Sequence, residues 1–312
     1  MVSPRAAVAA ANLRVDAVTV ETFTAFREAG VPAILLKGPS VAHWLGADVV
    51  RAYGDCDLLV PPTHAEAAEG LLAGLGFEGL DPSDWWTRGA WMWRRNHDGA
   101  QVDLHYGLAG ADAGGERIFA VLAAHTTSLQ RARTEVTILD RPATAFVLAL
   151  HAAHHGRAEA KPLRDLDLAV ERFEPAVWSA AASLAATLEA TPAFATGLRL
   201  LAAGAGLADD LALPSGRPVT VALAAASAPG QAFVLDHLAQ RRGARAKAVF
   251  LARRLVPPAV WMRTCYPLAR RGRLGLAAAH VWRLASAPAR LAVGVAAWRR
   301  ARRDAERSHG GD

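Results

Sequence analysis

The sequence predicts an α+β protein, in which a small mixed-sheet domain is followed by an all-helical C-terminal region. In residues 1–116, short apolar runs bounded by glycine and proline alternate with segments of helical periodicity. Beyond that part the patterns are helical, apart from a segment at 134–139 that we expect to be an edge strand. The predicted helices there include 143–156, 163–173, 176–189, 191–205 and 219–238. We therefore expect a sheet domain at 1–116, a helical domain at 117–240 and a basic helical segment at 241–312.

The composition is that of a globular protein and excludes a disordered chain. Of the 312 residues, 52% are hydrophobic and 21% are charged, which is enough apolar material for two cores of ordinary size. Cys56 and Cys265 form no spacing typical of a disulfide framework, as expected for a cytoplasmic protein. Polar residues interrupt the N-terminal apolar stretch and arginines interrupt the one near the C-terminus, so we predict neither a secretory signal nor a transmembrane segment.

Positive charge is concentrated near the C-terminus. The formal net charge is +6, from 35 Lys and Arg against 29 Asp and Glu. Between residues 241 and 307 there are 17 basic residues and two acidic ones, Asp304 and Glu306, while the N-terminal part is neutral or acidic. Such an asymmetry indicates an anionic partner, whether nucleotide phosphates, nucleic acid or a lipid surface.

The first elements lead to a turn that suits phosphate. Residues 15–29 have apolar positions at helical spacing, and residues 33–36 form a short apolar run that predicts a buried strand. Lys37 and Gly38 follow, and Pro39 is suited to the first turn of a short helix. A helix N-terminus that begins behind a glycine attracts phosphate groups.

The next strand carries two acids on one face. Residues 51–60 predict a strand in which Asp55 and Asp57 stand two residues apart and therefore leave the same face. Cys56 and Leu58 point to the other face. Two carboxylates placed so closely together need a cation.

A hairpin supplies a third acid. A turn at residues 96–99 joins a tryptophan-rich segment to a strand at 101–106. In this strand Gln101, Asp103 and His105 share one face. Together with the two acids of the preceding strand, Asp103 predicts a magnesium site, because carboxylate oxygens are the ligands that Mg²⁺ prefers.

These segments resemble those of a known family. At LKG (residues 36–38), at Arg51 with GDCDLLV (54–60) and at VDLHY (102–106), the sequence resembles the uncharacterised nucleotidyltransferase family of the DNA polymerase beta-like superfamily. The resemblance implies a nucleotidyltransferase-like domain at 1–116 followed by helices. It also implies a nucleoside triphosphate as substrate and Mg²⁺ or Mn²⁺ as cofactor.

One position departs from the pattern of the superfamily. A glycine followed by serine commonly stands after the first strand, whereas here Lys37 precedes Gly38 and Pro39 follows it. A lysine can supply a point charge to a phosphate, so the resemblance accommodates this change.

The resemblance implies a role for each of these residues. The catalytic and metal-binding residues would be Asp55, Asp57 and Asp103. The residues that bind the nucleotide would be Lys37, Gly38, Ser40, Arg51 and His105. We expect the lysine, the glycine and the serine to hold the β- and γ-phosphates. The arginine would contact phosphate, pair with one of the first two aspartates or be structural, and the histidine would orient the third aspartate or the acceptor.

The predicted function is magnesium-dependent transfer of a nucleoside monophosphate from an NTP to a hydroxyl on a small molecule, a sugar or a protein. An alternative is an arginine-rich module that binds nucleic acid or anionic membrane beside a degenerate catalytic domain. That alternative predicts a steep salt dependence of binding. A third hypothesis is a metal-dependent phosphohydrolase that uses His105, His151 and the aspartates.

Two further groups allow more than one interpretation. His151 and His155 lie four residues apart on a predicted helix, which is the spacing of metal ligands, but a helix this apolar favours histidines of a core or interface over a zinc site. Roles on the acceptor side for His154 or His155, with Asp165 or Asp167, stay open. A cluster of tryptophans predicts packing in the core and against the sheet, and its members are Trp85, Trp86, Trp91 and Trp93. The alternative is that a nucleobase stacks on Trp91 or Trp93.

Overall fold

The described residues form a seven-stranded mixed sheet surrounded by helices, which confirms the predicted α+β class. The computed structural model describes residues 3–46, 48–80, 90–241, 243–255, 257 and 259–309. The strand order across the sheet is β3-β4-β5-β2-β1-β7-β6. The strands are β1 (Ile34–Leu35), β2 (Cys56–Leu59), β3 (Glu78–Gly79), β4 (Trp91–Arg94), β5 (Gln101–His105), β6 (Thr126–Arg131) and β7 (Thr134–Leu139).

Helices precede, interrupt and follow the sheet. Those of the N-terminal part are α1 (Pro4–Glu28), α2 (Pro39–Leu45), α3 (Ala65–Gly74) and α4 (Gly115–Ala123). Those that follow the sheet are α5 (Arg141–His155), α6 (Ala160–Arg172), α7 (Pro175–Thr187), α8 (Thr191–Leu198), α9 (Ala202–Asp210), α10 (Val219–Ala225) and α11 (Gly230–Gln240). The basic segment contains α12 (Ala244–Leu255), α13 (Ala259–Cys265), α14 (Gly272–Ala285) and α15 (Ala287–His309).

Local sequence explains most differences between predicted and observed helices. The first helix begins earlier than predicted because the Ser3 hydroxyl caps it, accepting a hydrogen bond from the backbone N–H of Ala6 at 3.2 Å. The helix predicted at 219–238 is two helices, because Pro229 lacks the N–H that a continuous helix needs. The helix predicted at 191–205 is likewise divided, at an extended Leu201.

The segment predicted as an edge strand lies inside the sheet. β7 pairs in parallel with β1 and antiparallel with β6, so β6 takes the edge. Sequence patterns do not identify β6 because an edge strand with one exposed face carries little apolar alternation, as in its sequence TTSLQR. The sheet therefore extends past residue 116, and the division of the chain into domains stays a prediction.

The two faces of the sheet have different coverings. Cys56 and Leu58 of β2 and Val102 and Leu104 of β5 pack in the core formed with α1 and α3. Leu59 packs in the opposite core, together with residues of α5, α7 and α8. Since side chains alternate along a strand, the odd-numbered positions of β2 and β5 face the α5 side. The predicted alternation is therefore confirmed.

A buried ion pair ties α6 to the N-terminal part. Arg51 Nε and Nη2 donate to the two carboxylate oxygens of Asp165, each at 2.9 Å, and its Nη1 donates to the carbonyl oxygen of Gly38 at 3.0 Å. Arg51 and Asp165 are 8% and 3% exposed. Of the three alternatives for Arg51, pairing with Asp55 or Asp57 is not observed, because its planar fork is occupied by Asp165, and these contacts favour the structural role.

The basic segment is helical and amphipathic. Among the described residues no helix has both the length and the apolar character needed to cross a bilayer. Several large apolar side chains on its last two helices are nevertheless well exposed, and they include Leu274, Val281, Trp282, Leu284, Leu291 and Val293.

We expect Asp165→Asn to destabilise the protein. The substitution leaves the buried Arg51 without a counter-charge, and breaking a buried pair in this way costs about 3 kcal/mol or more. Urea unfolding measures the change. The matched control is Asp48→Asn, which removes the exposed pair of Asp48 with Arg172 and is expected to cost far less, because solvent screens an exposed pair. Equal losses in the two variants would contradict the role of Asp165 as a tie.

Candidate functional site

An open cavity of about 480 Å³ lies beside the centre of the sheet. The turn after β1 contributes one side, β2 and β5 contribute the floor, and α5 and the start of α6 contribute the opposite wall. Its polar and charged lining residues are Lys37, Arg51, Asp55, Asp57, Asp103, His105, His151, His154, His155, Glu159 and Lys161.

The register of two parallel strands brings the predicted acids together. β2 and β5 are adjacent, and Asp57 pairs directly with Asp103. Asp55 lies just before β2 and lines the same cavity. Three carboxylates from two strands therefore converge, as the alternation of residues along each strand predicts.

Asp57 is neutralised by two neighbouring side chains. Its Oδ1 atom lies 2.6 Å from Lys37 Nζ and 3.2 Å from His105 Nε2, and the carboxyl group is 2% exposed. Burial on its own would raise the pKa of Asp57, but the charge of Lys37 and the hydrogen bond with His105 hold that pKa well below its usual range. Burial lowers the pKa of Lys37, but the charge of Asp57 outweighs this effect and the pKa is raised.

Lys37 lowers the pKa of both of the other acids, but it offsets their negative charge only in part. Burial, followed by the charges of Asp57 and Asp103, raises the pKa of Asp55 to about 6. Burial and the charge of Asp57 raise the pKa of Asp103, whose Oδ1 accepts a hydrogen bond from Gln101 at 3.1 Å. Within the described ranges, neither Asp55 nor Asp103 forms an ion pair. The cavity thus favours a cation as ligand.

The chemistry of these donors suits a divalent metal ion. Carboxylate oxygens are the preferred ligands of Mg²⁺ and Mn²⁺, and two of the three carboxylates are not paired with a cation in the described part of the chain. No group of three His, Cys, Asp or Glu side chains in that part already has the arrangement of a metal site. Asp57 is turned instead toward Lys37 and His105. A metal ion would therefore compete with the lysine for Asp57.

The predicted phosphate-binding residues divide into two groups. Lys37 and Gly38 line the cavity, and the backbone of Gly38 has a φ of 64°, a conformation that favours glycine. Ser40 is fully buried within α2 and does not line the cavity. Arg51 lines the cavity but is held by Asp165, as described above. His105 contacts Asp57 and not Asp103, the neighbour predicted for it.

Sequence reasoning missed the cations and acids of the opposite wall. Lys161 lines the cavity, and burial followed by the charge of Arg51 lowers its pKa. Glu159 also lines the cavity and accepts from His155 Nδ1 at 2.9 Å. The sequence signal was the charged stretch RAEAKPLRD directly after the histidines. The sequence analysis names only Asp165 and Asp167 in this part of the chain. Of these, Asp167 is exposed and does not line the cavity.

The three histidines of α5 form a ring cluster at the cavity wall. The ring centroids of His151 and His155 are 4.4 Å apart, and those of His154 and His155 are 5.0 Å apart. Burial and the nearby charge of Lys37 lower the pKa of His151 well below its usual value. A neutral His151 accordingly adds no positive charge beside Lys37 at neutral pH.

Two tryptophans of the predicted cluster pack within the sheet. Trp91 and Trp93 lie in β4 with ring centroids 5.4 Å apart, and Trp91 Nε1 donates to the carbonyl oxygen of Leu80 at 2.8 Å. Neither side chain lines the cavity. Packing, and not base stacking, accounts for these two residues. Trp85 and Trp86 lie outside the described residues.

We expect Asp55→Asn to change how stability depends on pH. The pKa of Asp55 is about 6 in the folded state, against an ordinary value of 3.8 for an aspartate. Between these two pH values the folded state binds more protons than the unfolded state. The wild type therefore loses stability as pH rises through this interval. The asparagine variant has no such loss. Its free energy of unfolding relative to wild type is expected to increase by up to about 3 kcal/mol between pH 4 and pH 7.5.

Urea unfolding in EDTA at several pH values measures this difference. Asp167→Asn removes the same charge outside the cavity and serves as the matched control. A difference between Asp55→Asn and wild type that does not change with pH would contradict the raised pKa of Asp55.

A comparison with protein-family models identifies the family of the chain. A family model described as "Uncharacterised nucleotidyltransferase" matches residues 2–206, whereas no curated protein matches the chain. One similar solved structure is the antibiotic-resistance factor ANT(2'')-Ia, with 16% identity, 56% of this chain and 93% of that chain covered and a TM-score of 0.42. Another is an antigenic nucleotidyltransferase-like protein from Paracoccidioides brasiliensis, with 16% identity, 57% and 92% covered and a TM-score of 0.36. Since the matched residues make up more than half of the chain and include the three acids, the protein belongs to this uncharacterised nucleotidyltransferase family.

Proposed function

We propose that the protein is a nucleotidyltransferase that depends on Mg²⁺ or Mn²⁺ and transfers a nucleoside monophosphate from an NTP to a hydroxyl acceptor. The observation that carries the proposal is the direct pairing of Asp57 with Asp103 across parallel strands, with Asp55 and Lys37 in the same cavity. Membership in the family supports the same class of reaction.

Asp55, Asp57 and Asp103 would hold the metal. When bound, a divalent ion supplies positive charge to the entering and leaving oxygens at the α-phosphate. The low pKa of Asp57 keeps that carboxylate ionised and able to bind a cation at every physiological pH. The raised pKa of Asp55 means that protons compete for this carboxylate below about pH 6.

Lys37 and Gly38 would bind the triphosphate. The Lys37 ammonium group lies at the cavity surface, 15% exposed, and its raised pKa keeps it charged. Release of Lys37 from Asp57 would allow it to bind a phosphate oxygen. Gly38 lines the cavity beside Lys37 and would contribute its backbone. Lys161 adds a second positive charge at the opposite wall.

Asp103 would act on the acceptor side, whereas His105 would position Asp57. The raised pKa of Asp103 makes this carboxylate a stronger base than an ordinary aspartate, suited to accept the proton of the acceptor hydroxyl. His105 donates to Asp57 and so keeps that carboxylate oriented. We therefore assign His105 a positioning role toward Asp57.

We expect the wild type to bind a fluorescent NTP analogue in the presence of Mg²⁺ or Mn²⁺ and to release pyrophosphate with labelled NTPs and candidate acceptors. Asp57→Asn and Asp103→Asn each remove a group that supports several kcal/mol of transition-state stabilisation, so transfer is expected to fall at least about a hundredfold. Asp167→Asn, outside the cavity, serves as the matched control. Absence of metal-dependent NTP binding by the wild type would refute the proposal.

The basic segment supports a second candidate function, the binding of nucleic acid or anionic membrane. Arg299, Arg300 and Arg303 are exposed on α15, which is part of the segment with 17 basic and two acidic residues. Such a surface binds polyanions through the release of counterions.

For this candidate we expect binding to duplex DNA or to anionic vesicles to weaken steeply with salt. Replacing the three arginines by glutamine would lower the slope of log K against log salt by up to about three, while Asp57→Asn would leave binding unchanged. Binding that is insensitive to salt and to the arginine substitutions would exclude this function.

A further inference from the structure

A second cavity, of about 740 Å³, lies among the C-terminal helices. It is bounded by the loop between α10 and α11, by α11 and α12, and by the junction of α14 and α15. We call it the C-terminal groove and define it by its large apolar lining residues, Phe233, Val234, Leu251, Leu255, Leu284 and Leu291.

The C-terminal groove adjoins the cavity of the candidate site, which we call the acidic cavity because Asp55, Asp57 and Asp103 line it. His154 lines both, and it also lines a smaller cavity of about 130 Å³ between them. Leu150 is shared by the acidic cavity and the small cavity, and Phe233 by the small cavity and the groove. The three cavities are therefore neighbours, and the His154 side chain lies where they meet.

The groove presents apolar surface to solvent. Leu251, Leu255, Leu284 and Leu291 are 37%, 49%, 45% and 46% exposed although they face a common concave surface. Contiguous apolar surface of this kind is costly in water and marks a binding site for an apolar group. A concave apolar groove of this size suits a hydrocarbon chain.

The charges around the groove select the type of chain. Arg283 and Arg290 line it, and none of its described lining residues is acidic. The surrounding segment carries 17 basic and two acidic residues. An anionic group attached to the hydrocarbon chain is therefore favoured electrostatically.

We propose that the acceptor is a hydroxyl-bearing anionic amphiphile, whose hydrocarbon chain lies in the C-terminal groove and whose hydroxyl head reaches the acidic cavity past His154. The inference rests on the proposed nucleotidyl transfer and names the substrate class. The acceptor oxygen forms a bond to the α-phosphorus of the NTP, and the bond from that phosphorus to the bridging oxygen breaks. Pyrophosphate leaves, and the hydroxyl proton passes to Asp103.

Binding of a hydrocarbon chain can be tested without activity. The probe is N-phenyl-1-naphthylamine, whose fluorescence rises in apolar sites, and it is added to the full-length protein. We expect saturable binding, and displacement by straight-chain alkyl sulfates, used below their micelle concentrations, whose affinity increases up to about fourfold per added methylene.

Charged substitutions in the groove are expected to weaken probe binding, whereas charged substitutions outside it are not. Leu284→Glu and Leu291→Glu place a carboxylate in the groove at half-exposed positions that tolerate charge, so probe affinity should fall at least about tenfold. The matched controls are Leu274→Glu on α14 and Val293→Glu on α15, which are 87% and 60% exposed and do not line the groove. The controls should bind the probe within about twofold of wild type.

Several results would overturn the inference. They are absence of probe binding by the wild type, equal losses in groove variants and controls, and displacement that does not depend on chain length. Binding of the protein to lipid vesicles can be measured by flotation. If the control variants lose this binding as much as the groove variants do, the apolar surface would be assigned to membrane docking instead. A wild-type dimer that the groove substitutions dissociate in sedimentation would assign it to a second copy of the chain.

Failure of the proposed reaction can be distinguished from failure of the groove assignment. The groove variants retain Asp55, Asp57 and Asp103, so their metal-dependent NTP binding should equal that of wild type. Loss of chain binding with NTP binding intact is the expected result for these variants. If the wild type bound the probe but no NTP, the reaction would be refuted, and with it the role of the bound amphiphile as acceptor.

Discussion

The ion pair between Lys37 and Asp57 is the interaction on which the candidate site depends. Burial, followed by repulsion from Asp57, raises the pKa values of Asp55 and Asp103, so gathering three carboxylates beside the sheet is unfavourable. Lys37, held at 2.6 Å from Asp57, offsets part of this repulsion. The fold can therefore tolerate a concentration of negative charge that would otherwise favour separation of the strands. The same charge gives the cavity its affinity for cations.

The helical part of the chain completes the site as well as enclosing it. Asp165 of α6 holds Arg51, which in turn donates to the carbonyl of Gly38 and so fixes the turn that carries Lys37. The histidines of α5 and Lys161 of α6 form the wall opposite the aspartates. The position of the lysine thus depends on residues far away in sequence, and the sheet by itself would lack half of the cavity.

Much of the sheet side of the site could be predicted from sequence, because local alternation decides which face a strand residue occupies. The shared face of Asp57, Asp103 and His105 follows from that rule. The partner of Arg51 could not be predicted, since Asp165 lies 114 residues further along the chain. Ser40 was misassigned because a position near a helix N-terminus does not tell whether the side chain points into the core. β3 and β6 escaped detection since one has two residues and the other is a polar edge strand.

The place of β7 beside β1 has a consequence for synthesis of the protein on the ribosome. Leu35 of β1 pairs with Ile138, roughly a hundred residues later in the chain. Until that later segment has emerged, β1 has an unpaired backbone edge on one side, and such edges favour intermolecular strand pairing. The sheet can therefore be completed only after β7 has been translated. During this delay the nascent N-terminal part is exposed to aggregation.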